Sequence, residues 1–169
     1  MTIGTDMDFR GKRILVVEDD YFLANEVCDY FRRHEATILG PAPTPFYAAN
    51  LLSRRVDGAV LDIRLHSETV FELADLLLER GTPLIFATAM GSEHIPERFR
   101  GMPYVQKPYL CDELLIKMDR LVSAPRELDR PILIDTALKP RESQDRLAHL
   151  LIRVMRRRLA RTATPDKSV

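Results

Sequence analysis

The sequence of 169 residues contains no tryptophan and only two cysteines, Cys28 and Cys111. Their separation and the lack of CxxC spacing predict two buried thiols and no disulfide framework or cysteine-rich metal site. The chain also lacks a run of about 18 apolar residues, which excludes a membrane-spanning helix. Its first 13 residues lack the apolar core of a signal peptide. We therefore expect a cytoplasmic protein with reduced thiols.

Charge is balanced over the whole chain but is unevenly distributed along it. Residues 141–169 hold eight Arg and Lys against three Asp and Glu, a net charge of +5, so residues 1–140 carry −5. The length is sufficient for one full hydrophobic core with an appendage. The sequence therefore predicts a mildly acidic domain followed by a basic segment.

Apolar runs typical of buried strands alternate five times with segments of helical periodicity. The predicted strands are Lys12–Val17, Ala36–Gly40, Asp57–Leu61, Pro83–Ala87 and Pro103–Gln106. The predicted helices cover 21–34, 45–54, 68–80, 92–100 and 112–122, and the fourth is weak because it contains a proline. Such alternation predicts an α/β fold, a flavodoxin-like (βα)5 doubly wound parallel sheet with strand order 2-1-3-4-5 and a C-terminal helical extension.

Charged or hydroxyl side chains follow four of the predicted strands. They are Glu18 and Asp19 after the first strand, Asp62 after the third, Thr88 after the fourth and Lys107 after the fifth. The carboxyl ends of parallel strands share one edge of a sheet, where open α/β sheets bind ligands. Three carboxylates, one hydroxyl and one ammonium at this edge suit a divalent cation and a phosphoryl group.

Four motifs, in this order along the chain, resemble the receiver domain of two-component response regulators. They are Ile-Leu-Val-Val-Glu-Asp-Asp at 14–20, Val-Leu-Asp-Ile-Arg-Leu at 60–65, Phe-Ala-Thr-Ala at 86–89 and Tyr-Val-Gln-Lys-Pro at 104–108. The resemblance predicts a receiver domain over residues 10–124. The Phe-Ala-Thr tripeptide further resembles stand-alone receivers of the alphaproteobacterial FAT-motif type.

The resemblance implies that Asp62 accepts a phosphoryl group from a sensor histidine kinase or a phosphotransfer protein. Thr88 and Lys107 are then expected to contact phosphoryl oxygens, and Pro108 to follow a cis peptide bond. Such a protein is a phosphoacceptor and not an enzyme. We expect Mg²⁺-dependent self-phosphorylation from phosphodonors, followed by autodephosphorylation.

The resemblance also implies a metal site and a switch. The expected Mg²⁺ ligands are Glu18, Asp19, Asp62 and the backbone carbonyl of Arg64. Thr88 and Tyr104 form the expected switch pair, although Tyr104 also fits an ordinary tyrosine at the edge of the core. Asp20 is better interpreted as the cap of the first helix than as a ligand.

One loop departs from the receiver pattern. Receivers commonly have a proline and a glycine soon after the acceptor aspartate, whereas His66-Ser67-Glu68 follows Leu65 here. We therefore expect this loop to have a different shape. The four histidines show no metal-ligand spacing, and each is expected to be solvated.

The C-terminal part of the chain predicts three segments. Residues 125–140 are a proline-punctuated linker, 141–161 a basic amphipathic helix, and 162–169 a disordered tail. The helix could bury its leucine stripe on the receiver or in a homodimer, bind an acidic partner protein, or contact nucleic acid or a membrane surface. No aromatic residue interleaves its arginines, which disfavours nucleic acid.

Three functions remain open from the sequence. A stand-alone response regulator that signals by phosphotransfer or protein–protein interaction is favoured, because no output domain is recognisable. A pseudo-receiver binding module would keep the fold without phosphorylation, but the intact set of polar residues argues against it. The third is a nucleic-acid-binding regulator that acts through the basic C-terminal helix.

Overall fold

The computed structural model describes residues 7–66, 68–89, 91 and 94–124. The strands in chain order are β1 (Arg13–Val17), β2 (Thr37–Ala42), β3 (Gly58–Asp62), β4 (Arg64–Leu65), β5 (Glu68–Thr69), β6 (Leu84–Thr88) and β7 (Tyr104–Gln106). The α-helices are α1 (Tyr21–Arg33), α2 (Pro45–Leu51), α3 (Phe71–Glu79) and α4 (Cys111–Ser123), and Glu97–Phe99 forms one turn of 3-10 helix. The predicted linker, basic helix and tail at 125–169 lie outside the described residues.

Five strands form a parallel sheet in the order β2-β1-β3-β6-β7. Counted among these five alone, the order is 2-1-3-4-5, which confirms the predicted flavodoxin-like fold. In the register of the sheet, Val17 lies opposite Leu61, and Asp62 lies opposite Ala87. Thr88 lies opposite Gln106. The strands therefore end at a common carboxyl edge.

Both faces of the sheet are buried, which explains why its strands are continuous apolar runs and not alternating ones. In β1, Leu15 and Val17 belong to the core that α2 and α3 cover. Ile14 and Val16 belong to the core that α1 and α4 cover. The sheet is therefore the central layer between two pairs of helices.

Three residues that the sequence predicts as helix caps are found in capping positions. The Asp20 carboxylate accepts hydrogen bonds from the backbone N–H groups of Phe22 at 2.9 Å and Leu23 at 3.0 Å. Thr44 caps α2 through its hydroxyl oxygen. Gly81 follows α3 with φ 68°, a left-handed conformation that glycine adopts without strain. Asp20 is thus used as a helix cap, as predicted.

Strand β2 extends beyond its predicted end at Gly40. It continues through a cis Gly40–Pro41 peptide to Ala42. Because β2 is an edge strand, the missing N–H of Pro41 costs no central ladder bond. Gly40 has φ 112°, and a Cβ there would lie 2.7 Å from the Val16 carbonyl oxygen, so the close approach requires glycine.

Three predicted helices are clearly shorter than expected, and the one predicted at 45–54 ends at Leu51. The helix predicted at 68–80 begins at Phe71, because Glu68 and Thr69 pair with β4 in a two-stranded antiparallel hairpin. The helix predicted at 92–100 is reduced, in its described part, to the 3-10 turn Glu97–Phe99. Pro96 is extended there, with φ −53° and ψ 149°, and its lack of an N–H removes a helical hydrogen bond.

Both cysteines are buried thiols, as the sequence predicts. Cys28 and Cys111 are buried and form no disulfide. Burial raises the pKa of the Cys28 thiol to about 11, so the neutral thiol is favoured. Within the described residues, none of the helices combines the length and the apolar character that crossing a membrane requires.

Candidate functional site

Three carboxylates meet at the carboxyl edge of the sheet. Asp62 ends β3, and Glu18 and Asp19 follow the adjacent β1, so the parallel register brings them together. One carboxylate oxygen from each lies within 4.8 Å of the others. Glu18 is 6% and Asp62 7% exposed, whereas Asp19 is intermediate. The predicted side-chain ligands are thus assembled by the fold itself.

A lysine ammonium lies between two of these carboxylates. Lys107 Nζ donates to Glu18 Oε2 at 2.6 Å and to Asp62 Oδ2 at 2.7 Å. Its backbone N–H donates to the Thr88 carbonyl at 2.7 Å, and the Lys107–Pro108 peptide is cis. The cis bond that the resemblance implied is therefore present, and Lys107 is directed into the carboxylate cluster.

The cluster contains more carboxylates than positively charged groups. Burial, opposed by the hydrogen bond from Lys107 and reinforced by the Asp62 carboxylate, raises the pKa of Glu18 to about 7. Burial alone would lower the pKa of Lys107, but its hydrogen bonds with Asp62 and Glu18 outweigh burial and raise it. One ammonium therefore does not balance three gathered carboxylates, and an all-oxygen set of this kind fits a hard divalent cation such as Mg²⁺.

Thr88 lies beside this cluster at the end of β6. Thr88 is buried, with 1% exposure. The preceding residue, Ala87, pairs with Asp62 of the neighbouring strand β3. Tyr104 begins β7 opposite Phe86 and is 37% exposed, with its carbonyl accepting from Lys117 Nζ at 2.8 Å. A partly exposed ring at the sheet margin is compatible with a switch and with an edge tyrosine, so the switch role stays a prediction.

Arg64 enters the site through its backbone. Its N–H donates to Asp62 Oδ1 at 3.2 Å, which restrains the carboxylate two residues earlier. The role of its backbone carbonyl as a metal ligand stays a prediction.

His66 is a site residue that the sequence did not reveal. It is exposed, as expected of a solvated histidine, but both its backbone N–H and its ring Nδ1 contact Asp19 Oδ2. The spacing of the histidines along the sequence does not predict this contact. The one available signal was the departure of the His66-Ser67-Glu68 loop from the receiver pattern, which indicates an altered loop but not its hairpin shape.

Solved structures share this architecture over about two thirds of the chain. The non-phosphorylated HemR receiver domain from Leptospira biflexa is 32% identical, with a TM-score of 0.58, and covers 68% of this chain and 97% of its own. SdrG from Sphingomonas melonis Fr1 is 30% identical, with a TM-score of 0.58, and covers 66% and 95%. Response regulator TrrA from Thermotoga maritima, solved in complex with Mg²⁺ and BeF, is 23% identical, with a TM-score of 0.57, and covers 65% and 98%.

No protein-family model matches the sequence, and none of the curated proteins matches it either. The HemR receiver domain shows the family, because it combines 32% identity with coverage of 97% of its length. The sheet order and the acidic cluster at the strand ends agree with it. The chain belongs to the family of response regulator receiver domains.

Proposed function

We propose that this chain accepts a phosphoryl group on Asp62 from a histidine kinase or a phosphotransfer protein, in a Mg²⁺-dependent reaction. The observation that carries this proposal is the convergence of Glu18, Asp19 and Asp62, with the Lys107 ammonium bonded to Glu18 and Asp62. Phosphoryl transfer depends mainly on positioning and on charge stabilisation, and this cluster supplies groups for both.

Asp62 is suited to be the nucleophile. Its side chain is restrained from two directions, by Lys107 Nζ on Oδ2 and by the Arg64 N–H on Oδ1, yet it remains 10% exposed. A carboxylate oxygen attacks the phosphorus of the donor, the P–N bond to the donor imidazole breaks, and its electron pair stays on the leaving nitrogen. The product is an acyl phosphate on Asp62, which water can later hydrolyse.

The surrounding residues divide the remaining tasks. Glu18, Asp19 and Asp62 would hold Mg²⁺, which supplies neutralising charge for the phosphoryl oxygens when it is bound. Lys107 is already within hydrogen-bond distance of Asp62 and can pair with a phosphoryl oxygen carried there. Thr88, at the end of the neighbouring strand, is placed to contact another. The complex of TrrA with Mg²⁺ and BeF supports the proposal of a Mg²⁺ ion at this edge of the sheet.

In this proposal the protein is a signalling component and not an enzyme acting on a separate substrate. It would phosphorylate itself from small phosphodonors, lose the group by autodephosphorylation, and signal as a stand-alone receiver by phosphotransfer or by protein–protein interaction. The Phe-Ala-Thr sequence at 86–88 supports the finer proposal of an alphaproteobacterial FAT-motif receiver.

The test is intact mass measurement after incubation with acetyl phosphate and Mg²⁺. We expect the wild-type protein to gain one phosphoryl group, and neither Asp62→Asn nor chelator-treated wild type to gain it. Asp29→Asn is the matched control, because Asp29 is an exposed aspartate on α1 paired only with a surface arginine in the described contacts. Labelling that persists in Asp62→Asn would disprove the assignment.

A further inference from the structure

The connection between β3 and α3 is fixed as a hairpin. Arg64 pairs with Thr69 and Leu65 with Glu68, while the Leu65 side chain is buried in the core, with 1% exposure. His66 follows Leu65 at the turn and has φ 53°, in the left-handed region. Because the hairpin is anchored by Leu65, His66 is held at the edge of the acidic cluster.

Two donors of His66 converge on one oxygen of Asp19. The backbone N–H lies 2.8 Å and the ring Nδ1 2.5 Å from Asp19 Oδ2. A carboxylate oxygen only accepts, so Nδ1 carries a proton here whether the ring is neutral or charged. The His66 side chain is 77% exposed, and an exposed pair alone contributes little. The backbone donor, however, needs no side-chain ordering and reinforces the same geometry.

The three consecutive acids therefore have separate partners. Glu18 is held by Lys107, and the Asp20 carboxylate caps α1. Asp19 is held by the hairpin through Oδ2. With two donors on Oδ2, the lone pairs of that oxygen are occupied, and Oδ1 is the atom of Asp19 left for a cation.

We propose that His66 is a positioning residue that restricts Asp19 to a single ligand oxygen and so favours Mg²⁺ over Ca²⁺. This inference rests on the proposed function, since it concerns the same metal site. Mg²⁺ demands a near-octahedral set of single oxygens, whereas Ca²⁺ takes six to eight oxygens and accepts bidentate carboxylates. Blocking the second oxygen of Asp19 removes a coordination mode that only Ca²⁺ uses well.

The experiment titrates Mg²⁺ and Ca²⁺ separately into metal-free protein by calorimetry, using wild type and three His66 variants. His66→Ala removes the ring donor, and we expect it to lose about tenfold in Mg²⁺ affinity, the usual cost of losing a partner of a metal ligand. Its Ca²⁺ affinity should change less, so the ratio of the two affinities falls. His66→Asn keeps a side-chain donor and tolerates a positive φ, so it should stay within about threefold of wild type.

His66→Gly separates the ring from backbone strain, because glycine adopts φ 53° freely but has no donor side chain. We expect it to behave like His66→Ala. Wild-type affinity in His66→Gly, or an unchanged Mg²⁺ to Ca²⁺ ratio in His66→Ala, would overturn the inference. If either result is found in protein that is still phosphorylated on Asp62, only the role of His66 fails. If wild type neither binds Mg²⁺ nor becomes phosphorylated, the proposed function fails as well.

Discussion

The connections that follow the adjacent strands β3 and β6 both bury side chains in the same core but differ in their other contacts. After β3, the 63–70 connection is tied by polar donors to the acidic cluster, through His66 on Asp19. After β6, the 94–103 connection is tied by aromatic rings to the core. Phe99 is buried, stacks on Phe71 with ring centroids 5.5 Å apart, and meets Phe86 edge-on at 5.4 Å.

This difference separates ion binding from stability. The first connection touches a proposed metal ligand directly, so its polar contacts adjust the site. The second contacts Phe86 in β6, and Phe86 precedes Thr88 by two residues. Its rings mainly fill the core between β6 and α3. A substitution in the first connection should change cation affinity, and a substitution in the second connection should change the free energy of unfolding.

The largest effect is expected from Phe99→Ala. Removing a fully buried ring leaves a cavity and should lower the free energy of unfolding by about 3–5 kcal/mol. Urea denaturation of metal-free protein measures it. Phe22→Ala is the control, because Phe22 is 85% exposed and its replacement should change stability by less than about 0.5 kcal/mol. A loss below about 1 kcal/mol for Phe99→Ala would show that the aromatic cluster does not anchor this segment.

The second effect is stabilisation by the cation. At a Mg²⁺ concentration of about 100 times Kd, binding to the folded state alone should raise the free energy of unfolding by about 2.7 kcal/mol. Phe99→Ala should show the same increment at the same multiple of its own Kd, because the removed ring packs against Phe71 and Phe86 in the core and is not one of the proposed cation ligands. The increment is measured by urea denaturation with and without Mg²⁺, with a chelator as the reference.

Asp19→Asn provides the contrast within the same experiment. It removes a proposed ligand, so most of the increment should be lost at the Mg²⁺ concentration used for wild type. Its metal-free stability should be equal or slightly higher, because three gathered carboxylates repel one another. A full increment in Asp19→Asn, or a missing increment in Phe99→Ala, would show that the two regions do not divide the tasks as argued.

The two connections also differ from the sheet in how well the sequence predicts their structure. The alternation of strands and helices suggested the flavodoxin-like sheet order, and with that order the strand ends predicted that Asp62 meets Glu18 and Asp19 on one edge. The hairpin after β3 did not, because its two residue pairs are too short to produce a periodic signal. The segment at 92–100 was expected as a weak helix, but its described part contains a 3-10 turn at Glu97–Phe99, which follows the extended Pro96.

The smallest effect concerns the ion pair that joins the 3-10 turn to α3. Arg98 Nε lies 3.2 Å from Asp75 Oδ1 and Nη2 lies 3.1 Å from Oδ2, while the guanidinium covers the Phe99 ring at 4.5 Å. Both side chains are about half exposed, so solvent screening should limit the loss in Asp75→Asn to less than about 1 kcal/mol.

Amide hydrogen exchange should detect a local effect of Asp75→Asn that urea denaturation barely resolves. In Asp75→Asn, the amides of Phe99 and Met102, which bond to Pro96 and Phe99 carbonyls, should exchange several-fold faster while α1 amides keep their rates. Glu97→Gln is the control, because its pairing with Arg100 at 3.7 Å is exposed. Mg²⁺ affinity should be unchanged in both variants. If Asp75→Asn instead weakens Mg²⁺ binding while amide exchange at 99–102 stays at the wild-type rate, the ion pair acts on the acidic cluster and not on its own segment, and the proposed division between the two connections is wrong.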